Sequence, residues 1–420
     1  MDFSDTPEEA AFREEAKEWL VRNMPTSEEL EGMDHIGRAK FWEKRKFDHG
    51  WSCISWPREY GGQAGSAIQE VIWGQEESKF VVPETNINII GQGMCGPTMM
   101  AWATEEQNRR FLPCLASGEE VWCQLFSEPA GGSDLAALRT RANREGDEWV
   151  INGQKIWTSG AHYSDYAILV VRTDPLVPKH RGLSFFFISM KSPGIEIKPI
   201  KQISGDSNFN EVYFTDVRVS DSQRLGAVGQ GWQVALTTLM NERATIGGGG
   251  GIGFDELFRL AQKANFGETA AIHDAGVRRK LADWYVQETG LRYTGYRALS
   301  ALSRGDLPGP ENSIGKLVGA PKTQDMASFA IDLLDGSGVI ANPKVSELAA
   351  EFQQSYMGAP GLRIAGGTDE VMANIIAERV LGLPGVGGEH LLLLSVRRRR
   401  AEHIALSELE RPGALRRPPF

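Results

Sequence analysis

The sequence has 420 residues, a length that fits two or three domains, each able to bury a core of its own. Apolar residues make up 41% and charged residues 24%, which excludes a wholly disordered chain. A net charge of −10 argues against a nucleic-acid-binding protein. No run of about 20 apolar residues occurs, and Met1–Glu9 is polar and acidic. We therefore expect neither a transmembrane helix nor a signal peptide.

The four cysteines carry no pattern of a metal centre or of a disulfide framework. They form no C-x-x-C pair and have no flanking histidines. We therefore expect free thiols, no bound metal and a reduced, cytoplasmic chain. These residues are Cys53, Cys95, Cys114 and Cys123.

Residues 1–118 are predicted to form an N-terminal helical domain. Thr6 followed by Pro7 is typical of a helix start, because Thr can accept a hydrogen bond at the N-cap and Pro fits the first helical position. Thr104 and Gln107 have the spacing of a capping box, which predicts the start of another helix.

Residues 119–225 have the pattern of a β domain. Short runs rich in β-branched and aromatic residues alternate with turn residues, and no helical pattern separates them. This favours an antiparallel sandwich or barrel. Asn152-Gly153 is a cue for a hairpin turn. The predicted strands span residues 148–151, 167–172, 183–188, 195–199 and 211–219.

Residues 226–384 return to helical periodicity. One amphipathic stretch begins at Leu281, and another runs from Thr368 to Leu383, where a proline ends it. We interpret residues 385–420, rich in Arg and Pro, as a mobile or loosely docked tail of unknown role. A docking segment for anionic lipid or for a partner is the alternative. The whole pattern predicts an α+β multidomain protein.

Five segments, in the same order along the chain, together resemble the acyl-CoA dehydrogenase family over about residues 5 to 384. Any one of them alone would be weak support, since a segment rich in Gly and Ser is otherwise a simple surface turn. The segments are Cys123–Asp134 (CQLFSEPAGGSD), Asn152–Ser159 (NGQKIWTS), Phe209–Val219 (FNEVYFTDVRV), Val228–Trp232 (VGQGW) and Ala365–Val371 (AGGTDEV).

The resemblance implies a fold and a reaction. The fold has an N-terminal helical domain, a central antiparallel β-sandwich or barrel and a C-terminal four-helix bundle. Members usually form tetramers that bind FAD between domains and across a subunit interface, and they act in fatty acid and lipid metabolism. A carboxylate takes the α-proton of an acyl-CoA thioester, flavin N5 takes the β-hydrogen as a hydride, and a trans-2-enoyl-CoA is formed. An electron-transfer flavoprotein normally accepts the electrons.

By motif match, the resemblance assigns FAD contacts to ten residues. Phe126 and Ser127 are expected to face the flavin ring, Trp157 to pack against it, and Ser159 to donate a hydrogen bond near N5. Ser133 is expected to contact the CoA as well. The ten residues are Phe126, Ser127, Gly132, Ser133, Trp157, Ser159, Lys263, Phe266, Thr368 and Glu370.

Gly366 occupies the position where many family members have the catalytic glutamate, and glycine cannot accept a proton. Its backbone N–H can still serve the thioester carbonyl, as the family's main chain does there. A branch that includes the long-chain and isovaleryl enzymes has its glutamate before an arginine on an early helix of the C-terminal domain. Glu242-Arg243 matches that position, which makes Glu242 the candidate base and Arg243 a candidate CoA contact. The alternative is two ordinary charges on a solvated helix face.

A run of glycines follows Glu242, in the segment TIGGGGGIG at residues 245–253. On a continuous helix, Gly249, Gly250 and Gly253 would share the face of Glu242 and leave room for a wide acyl pocket. This predicts a bulky or branched acyl group such as a steroid side-chain CoA ester, as in actinobacterial acyl-CoA dehydrogenases for steroid-type substrates, which the sequence resembles. A hinge, a helix break or close helix packing is the alternative.

Three departures from the family pattern concern the FAD contacts. Two affect contacts that the resemblance places across the subunit interface: Lys263, in the segment KANFG, replaces an Arg and lacks its planar fork, and the segment IDLLDGSG at residues 331–338 lacks the Gln that usually precedes a Gly-Gly. The third is Glu370, which replaces a Gln at a flavin contact. Three functions therefore remain possible. They are an active homo- or hetero-tetrameric dehydrogenase, a non-catalytic or cofactor-poor partner subunit, and an acyl-CoA oxidase or flavin monooxygenase of the same fold.

Overall fold

Helices form the first part of the chain in this computed structural model, which describes residues 5–83, 86–246, 252–303, 309–310, 313–342, 344–345 and 347–385. The capping boxes predicted at Thr6 and Thr104 are confirmed, each with reciprocal side-chain and backbone hydrogen bonds. A π-helical turn, Gly91–Cys95, joins α4 to α5. The helices are α1 Pro7–Asn23, α2 His35–Asp48, α3 Ala67–Glu77, α4 Asn86–Ile90, α5 Gly96–Trp102 and α6 Glu105–Ala116.

One eight-stranded sheet forms the middle of the chain, and each of the five predicted strands is present in it. The strands are β1 Trp122–Leu125, β2 Arg141–Glu145, β3 Glu148–Ser159, β4 Tyr166–Arg172, β5 Leu183–Ser189, β6 Ile195–Ile200, β7 Phe209–Ser220 and β8 Arg224–Leu225. Their order is β6-β7-β3-β2-β4-β5-β8, and β1 also pairs with β4. Most neighbours are antiparallel, as expected, but β1 and β2 each meet β4 in parallel.

Strands β4 and β5 are buried on both faces, which explains their almost unbroken apolar sequences. Ile168 and Phe185 belong to a core shared with α5, α6 and the helix that follows the sheet. Leu169 and Phe186 belong to the core on the other face. Because side chains alternate along a strand, the same two strands serve both cores.

The hairpin predicted at Asn152-Gly153 is wrong. Gly153 lies inside β3, where a change of register against β7 marks a β-bulge. Its φ of +151° and its close approach to Thr140, 2.5 Å from the position of an added Cβ to Oγ1, explain the glycine. The tight turn lies one strand earlier, at Gly146-Asp147, between the paired residues Glu145 and Glu148.

Helices return after the sheet. Helix α10 packs against α9, α11 and α12 around an apolar core that includes Trp284, Met326 and Phe352. The stretch predicted from Thr368 to Leu383 is α-helical only at its start and ends in a π-helical turn. The elements are α7 Gly231–Ile246, α8 Phe254–Lys263, β9 Asn265–Phe266, β10 Thr269–Ala270, α9 Ala275–Ser303, α10 Ser313–Leu333, α11 Glu347–Leu362, α12 Asp369–Ile375 and the π-turn Ile376–Val380.

Among the described residues, no helix combines the length and the apolar character needed to cross a membrane. The four cysteines are free, as predicted, with Cys95 and Cys123 buried. The predicted tail from residue 385 onward lies outside the described residues, apart from residue 385 itself.

Candidate active site

The segment after β1 is fastened to β3 by a buried ion pair. Lys155, which is completely buried, donates from Nζ to Glu128 Oε1 at 2.9 Å and to the Phe126 carbonyl at 3.0 Å. The backbone N–H of Ile156 donates to the Ser127 carbonyl at 2.9 Å. Phe126 and Ser127 therefore lie directly beside the bulge of β3 that carries Trp157.

Trp157 has two unusual features. Its φ of +62° is in the left-handed region, which a bulky residue rarely adopts. Its side chain is 56% exposed, with only an edge-on ring contact to Phe209, at 6.1 Å between centroids. An exposed aromatic ring on a strained backbone is typical of a ligand contact.

The backbone after Trp157 is held by a buried amide. Asn210, with no exposed surface, donates from Nδ2 to the Thr158 carbonyl at 2.9 Å. The Gly160 N–H donates to the Asn208 carbonyl at 2.9 Å. Ser159 pairs with Phe209 across β3 and β7 and is half-buried. Four predicted FAD contacts, at positions 126, 127, 157 and 159, therefore meet at the C-terminal end of β3.

The side chain of Phe126 does not lie where the resemblance predicts, facing the flavin ring. The ring is buried in the core and makes an edge-on contact with Phe185, at 5.7 Å between centroids. Only the backbone of Phe126 reaches the end of β3 that carries Trp157. Gly132 and Ser133 are exposed, in the loop after the Glu128–Gly131 turn.

Glu242 lies next to Gly366. The resemblance gives these two positions as the alternative places for the catalytic glutamate. A Cβ added to Gly366 would lie 3.6 Å from Glu242 Oε1 and 4.0 Å from Lys316 Cε. From β1, Gln124 Nε2 donates to Glu242 Oε2 at 3.4 Å. Glu242 is half-buried. The carboxylate therefore faces this turn instead of lying on a fully solvated helix face.

Both glycines of the turn at Gly366-Gly367 have a positive φ, +66° and +102°, which glycine adopts without strain. Lys316 donates from Nζ to the Gly367 carbonyl. Thr368 then caps α12, with its hydroxyl accepting from the Val371 N–H at 3.4 Å. A glutamate side chain at position 366 would have to share this space with Glu242.

Gly253 does not continue helix α7 as predicted. Helix α7 spans Gly231–Ile246, and Gly253 caps α8 with φ −83° and ψ 171°. Helical spacing from Glu242 to Gly253 is therefore wrong, because an extended residue begins a new helix there. Gly249 and Gly250 lie outside the described residues, and the side chain of Arg243 is also outside them.

Three other predicted FAD contacts, at positions 263, 266 and 370, are not part of the cluster at the end of β3. Lys263 is exposed at the end of α8, and the side chain of Phe266 lies outside the described set. Glu370 is exposed in the first turn of α12, where its own backbone N–H and the Thr368 hydroxyl lower the pKa of its carboxyl.

Four residues of the site were missed at the sequence level. Gln124, Glu128 and Lys155 all lie within the recognised segments, and the polar side chain of Gln124 in the otherwise apolar strand WCQL is a usable signal. Lys316 gave no signal, because it stands 74 positions beyond Glu242 in a helix without a motif.

Comparisons with known proteins identify the family. Family models described as the N-terminal, middle and C-terminal domains of acyl-CoA dehydrogenase match residues 6–119, 123–217 and 229–381. The chain belongs to the acyl-CoA dehydrogenase family. Its three-part fold, with N-terminal helices, a central β-sheet domain and a C-terminal helical domain, is that of the family.

Individual relatives are similar over most of their length. Acyl-CoA dehydrogenase IpdE1 of Mycobacterium tuberculosis is 36% identical over 388 residues, which cover 89% of this chain and 97% of that protein. A solved structure described as the Tcur3481-Tcur3483 steroid ACAD has a TM-score of 0.76 and 28% identity, covering 92% and 100% of the two chains. The ChsE4-ChsE5 complex from Mycobacterium tuberculosis has a TM-score of 0.75 and 30% identity, with the same coverage.

Membership makes the chain an oxidoreductase acting on CH–CH groups, with FAD as its cofactor. The residues present fit a flavin. The exposed Trp157 ring offers a flat apolar face, and the half-buried residues Ser127 and Ser159 lie on backbone segments next to it. Aromatic and hydroxyl groups of this kind suit a planar heterocycle with polar edges.

Proposed function

We propose that this chain catalyses the α,β-dehydrogenation of an acyl-CoA thioester, with Glu242 as the base that removes the α-proton. One observation carries the proposal: the Glu242 carboxylate faces Gly366, the position from which other family members project their glutamate. A carboxylate carried by α7 therefore reaches the space that a glutamate side chain at position 366 would occupy. A glutamate on α7 in place of one at position 366 explains how the chain keeps a base although residue 366 is glycine.

The chain's own groups would share the work as follows. Glu242 accepts the α-proton, and the Gly366 N–H donates to the thioester carbonyl as negative charge develops on it. Backbone at Phe126, Ser127 and Ser159 and the Trp157 ring would hold the cofactor. Bound FAD supplies the hydride acceptor, and the product is a trans-2-enoyl-CoA. An electron-transfer flavoprotein is the expected external acceptor.

A bulky acyl group, of the steroid side-chain type, is the proposed substrate. Two independent features support it. A solved relative is described as a steroid ACAD, and the glycines that follow α7 in the sequence contribute no side chains. Gly253 no longer enters this argument, since it caps α8.

A heteromeric tetramer, in which an unlike chain supplies the missing FAD contacts, is the proposed assembly. Lys263 lacks the guanidinium fork, and two structural relatives are complexes of two differently named chains. A non-catalytic partner role is the second candidate, and the altered Lys263 favours it. The Glu242–Gly366 arrangement favours an active subunit. The four free thiols are consistent with the cytoplasm as the proposed location.

Anaerobic mixing of the purified, FAD-containing protein with acyl-CoAs of increasing bulk tests the function. We expect loss of the oxidised flavin spectrum and formation of an enoyl-CoA, detected by mass spectrometry, with steroid-type esters the best substrates. Flavin that stays oxidised with every ester, in protein that holds FAD, would contradict an active dehydrogenase and support the partner role.

The substitution Gly249→Leu tests the pocket. We expect kcat/KM to fall at least about tenfold for a steroid-type CoA ester but little for butyryl-CoA, because one added side chain obstructs only the larger group. The matched control is Gly358→Leu, on helix α11, where an added Cβ would meet no atom within 4 Å. Equal losses for both esters in Gly249→Leu would contradict the wide-pocket proposal.

A further inference from the structure

Asn210 carries a fully buried amide at the C-terminal end of β3. It lies at the start of β7, directly across from Thr158. Its Nδ2 donates to the Thr158 carbonyl at 2.9 Å and to the Asn208 carbonyl at 3.4 Å. Its Oδ1 lies 3.2 Å from Nδ1 of His162, in the turn after β3. The amide therefore joins β3, the residues before β7 and the turn that leaves β3.

Hydrogen bonding fixes which way the Asn210 amide faces. An amide nitrogen only donates and an amide oxygen only accepts, and a backbone carbonyl likewise only accepts. Nδ2 must therefore face the carbonyls of Thr158 and Asn208, which leaves Oδ1 to accept from Nδ1 of His162. Neither a carboxylate nor an apolar side chain at position 210 could serve all three partners.

The ladder between β3 and β7 is interrupted immediately before Thr158. A register shift separates Lys155 from Thr158, and between them the Ile156 N–H donates to the Ser127 carbonyl at 2.9 Å. Trp157 follows, with its φ of +62° and its exposed ring. A left-handed conformation of a bulky residue costs free energy, so the surrounding structure must impose it. Because the ring is mostly exposed, hydrogen bonds to the backbone on both sides of Trp157 impose it here.

Asn210 lies behind the predicted flavin contacts. Along the end of β3, Trp157 is exposed, Thr158 is buried and Ser159 is half-buried. Successive side chains of a strand point to opposite faces, so the buried amide is on the side of Thr158 and not on that of Trp157. With no exposed surface, Asn210 cannot touch a flavin and can act on one only through the backbone.

We propose that Asn210 is a positioning residue for the FAD site: its hydrogen bond to the Thr158 carbonyl holds the strained backbone that places the Trp157 ring against the flavin. The proposal rests on the proposed function, which has FAD bound at Trp157. Without the amide, the backbone is free to leave the left-handed region, and the ring then turns away from the cofactor.

A double-mutant cycle in FAD affinity tests the role of Asn210. Serial dilution of the FAD-containing protein, followed by the fluorescence of released flavin, gives the dissociation constant of FAD. We expect Asn210→Ala to raise this constant about tenfold, the factor also expected for Trp157→Gly. The variant with both changes should bind FAD little more weakly than Trp157→Gly alone, because Asn210 acts through the residue that is already changed.

The matched control is Asn152→Ala. Asn152 also bridges β3 and β7 through its side-chain amide, with hydrogen bonds of 2.9 and 3.0 Å to the side chain and backbone of Asp216. It lies in the first half of β3, away from Trp157. We expect this variant to leave the dissociation constant of FAD unchanged.

An unchanged dissociation constant in Asn210→Ala would overturn the proposal. So would losses that multiply to about a hundredfold in the double variant, since a merely structural amide acts independently of Trp157. If Asn210→Ala does not fold, Asn210→Ser carries the same comparison.

The readout is FAD binding, so an inactive dehydrogenase leaves the test intact. Unchanged FAD affinity in Trp157→Gly would contradict the binding of FAD at Trp157, and the role of Asn210 with it. A loss of affinity in Trp157→Gly without one in Asn210→Ala would contradict only the role of Asn210.

Discussion

Lys155 is buried to a degree that lysines reach only when paired. Burial lowers the pKa of its ammonium to about 8, and the Glu128 carboxylate acts against that decrease. Burial also raises the pKa of Glu128, but the Lys155 charge and the N–H donors outweigh it and leave that pKa lowered. The pair thus remains charged and ties Phe126 to β3, next to Trp157.

Lys155→Met is predicted to lower the free energy of unfolding by about 3 kcal/mol, because it leaves the Glu128 charge buried without its cation. The estimate is at the low end of such losses, since Glu128 keeps its N–H donors from Arg139 and Thr140. Urea denaturation measures the change. The control Lys198→Met removes a surface ion pair and should have no measurable effect. A loss equal to the control would contradict the structural role of the pair.

Glu242 could be predicted from the sequence, whereas Lys316 could not. A glycine where a carboxylate is usual and a Glu-Arg pair where another branch has one are two local departures, each readable in the printed sequence. Lys316 approaches the same turn only because α10 packs against α12. A contact that tertiary packing alone creates leaves no local pattern.

The bulge of β3 is a feature of a secondary-structure element that the sequence alone does not predict. Asn-Gly ordinarily predicts a hairpin, but Gly153 instead passes close to Thr140 within a continuous strand of twelve residues. A second register shift, between Lys155 and Thr158, turns Trp157 outward. The presence of the strand could be predicted from its composition. Its bulges could not, because they depend on pairing with β7.

Trp157→Gly and Trp157→Ala are predicted to separate strain from binding. Glycine adopts a φ of +62° without penalty, so Trp157→Gly should be more stable than Trp157→Ala by about 1 kcal/mol. Both should weaken FAD binding about tenfold by removing the ring contact. Thermal unfolding and FAD titration of the apoprotein measure these effects. Equal stability of the two variants, or FAD affinity unchanged in both, would contradict this prediction.

At the scale of the whole molecule, α7 is anchored in the core that the N-terminal helices share with the sheet. Val234 and Ala235 are buried there, and Thr238 and Thr98 share a hydrogen bond of 2.9 Å between hydroxyls. Trp102 Nε1 donates to Thr237 at 3.0 Å. The helix that carries Glu242 is therefore held by both preceding parts of the chain. The three-part order was predictable from periodicity, but this joint anchoring was not, because it involves residues more than 100 positions apart.

FAD content is predicted to depend on a partner chain. Expressed alone, the protein should retain less than one FAD per chain, and co-expression with an unlike acyl-CoA dehydrogenase chain encoded beside it should increase the FAD content. The reason is that Lys263 cannot grip a pyrophosphate as an arginine does. Absorbance of purified samples and their mass by light scattering measure both quantities. A homotetramer fully loaded with FAD would contradict the heteromeric proposal.

The rate at which an acyl-CoA reduces the flavin in Glu242→Gln tests the central claim most directly. The amide keeps the size of the side chain but cannot accept the α-proton, so anaerobic stopped-flow should record a rate about 10²- to 10⁴-fold below that of the unmodified protein, with FAD still bound. The control Glu351→Gln, at an exposed position of α11, should reduce its flavin at the unmodified rate. If Glu242→Gln also does so, Glu242 is not the base.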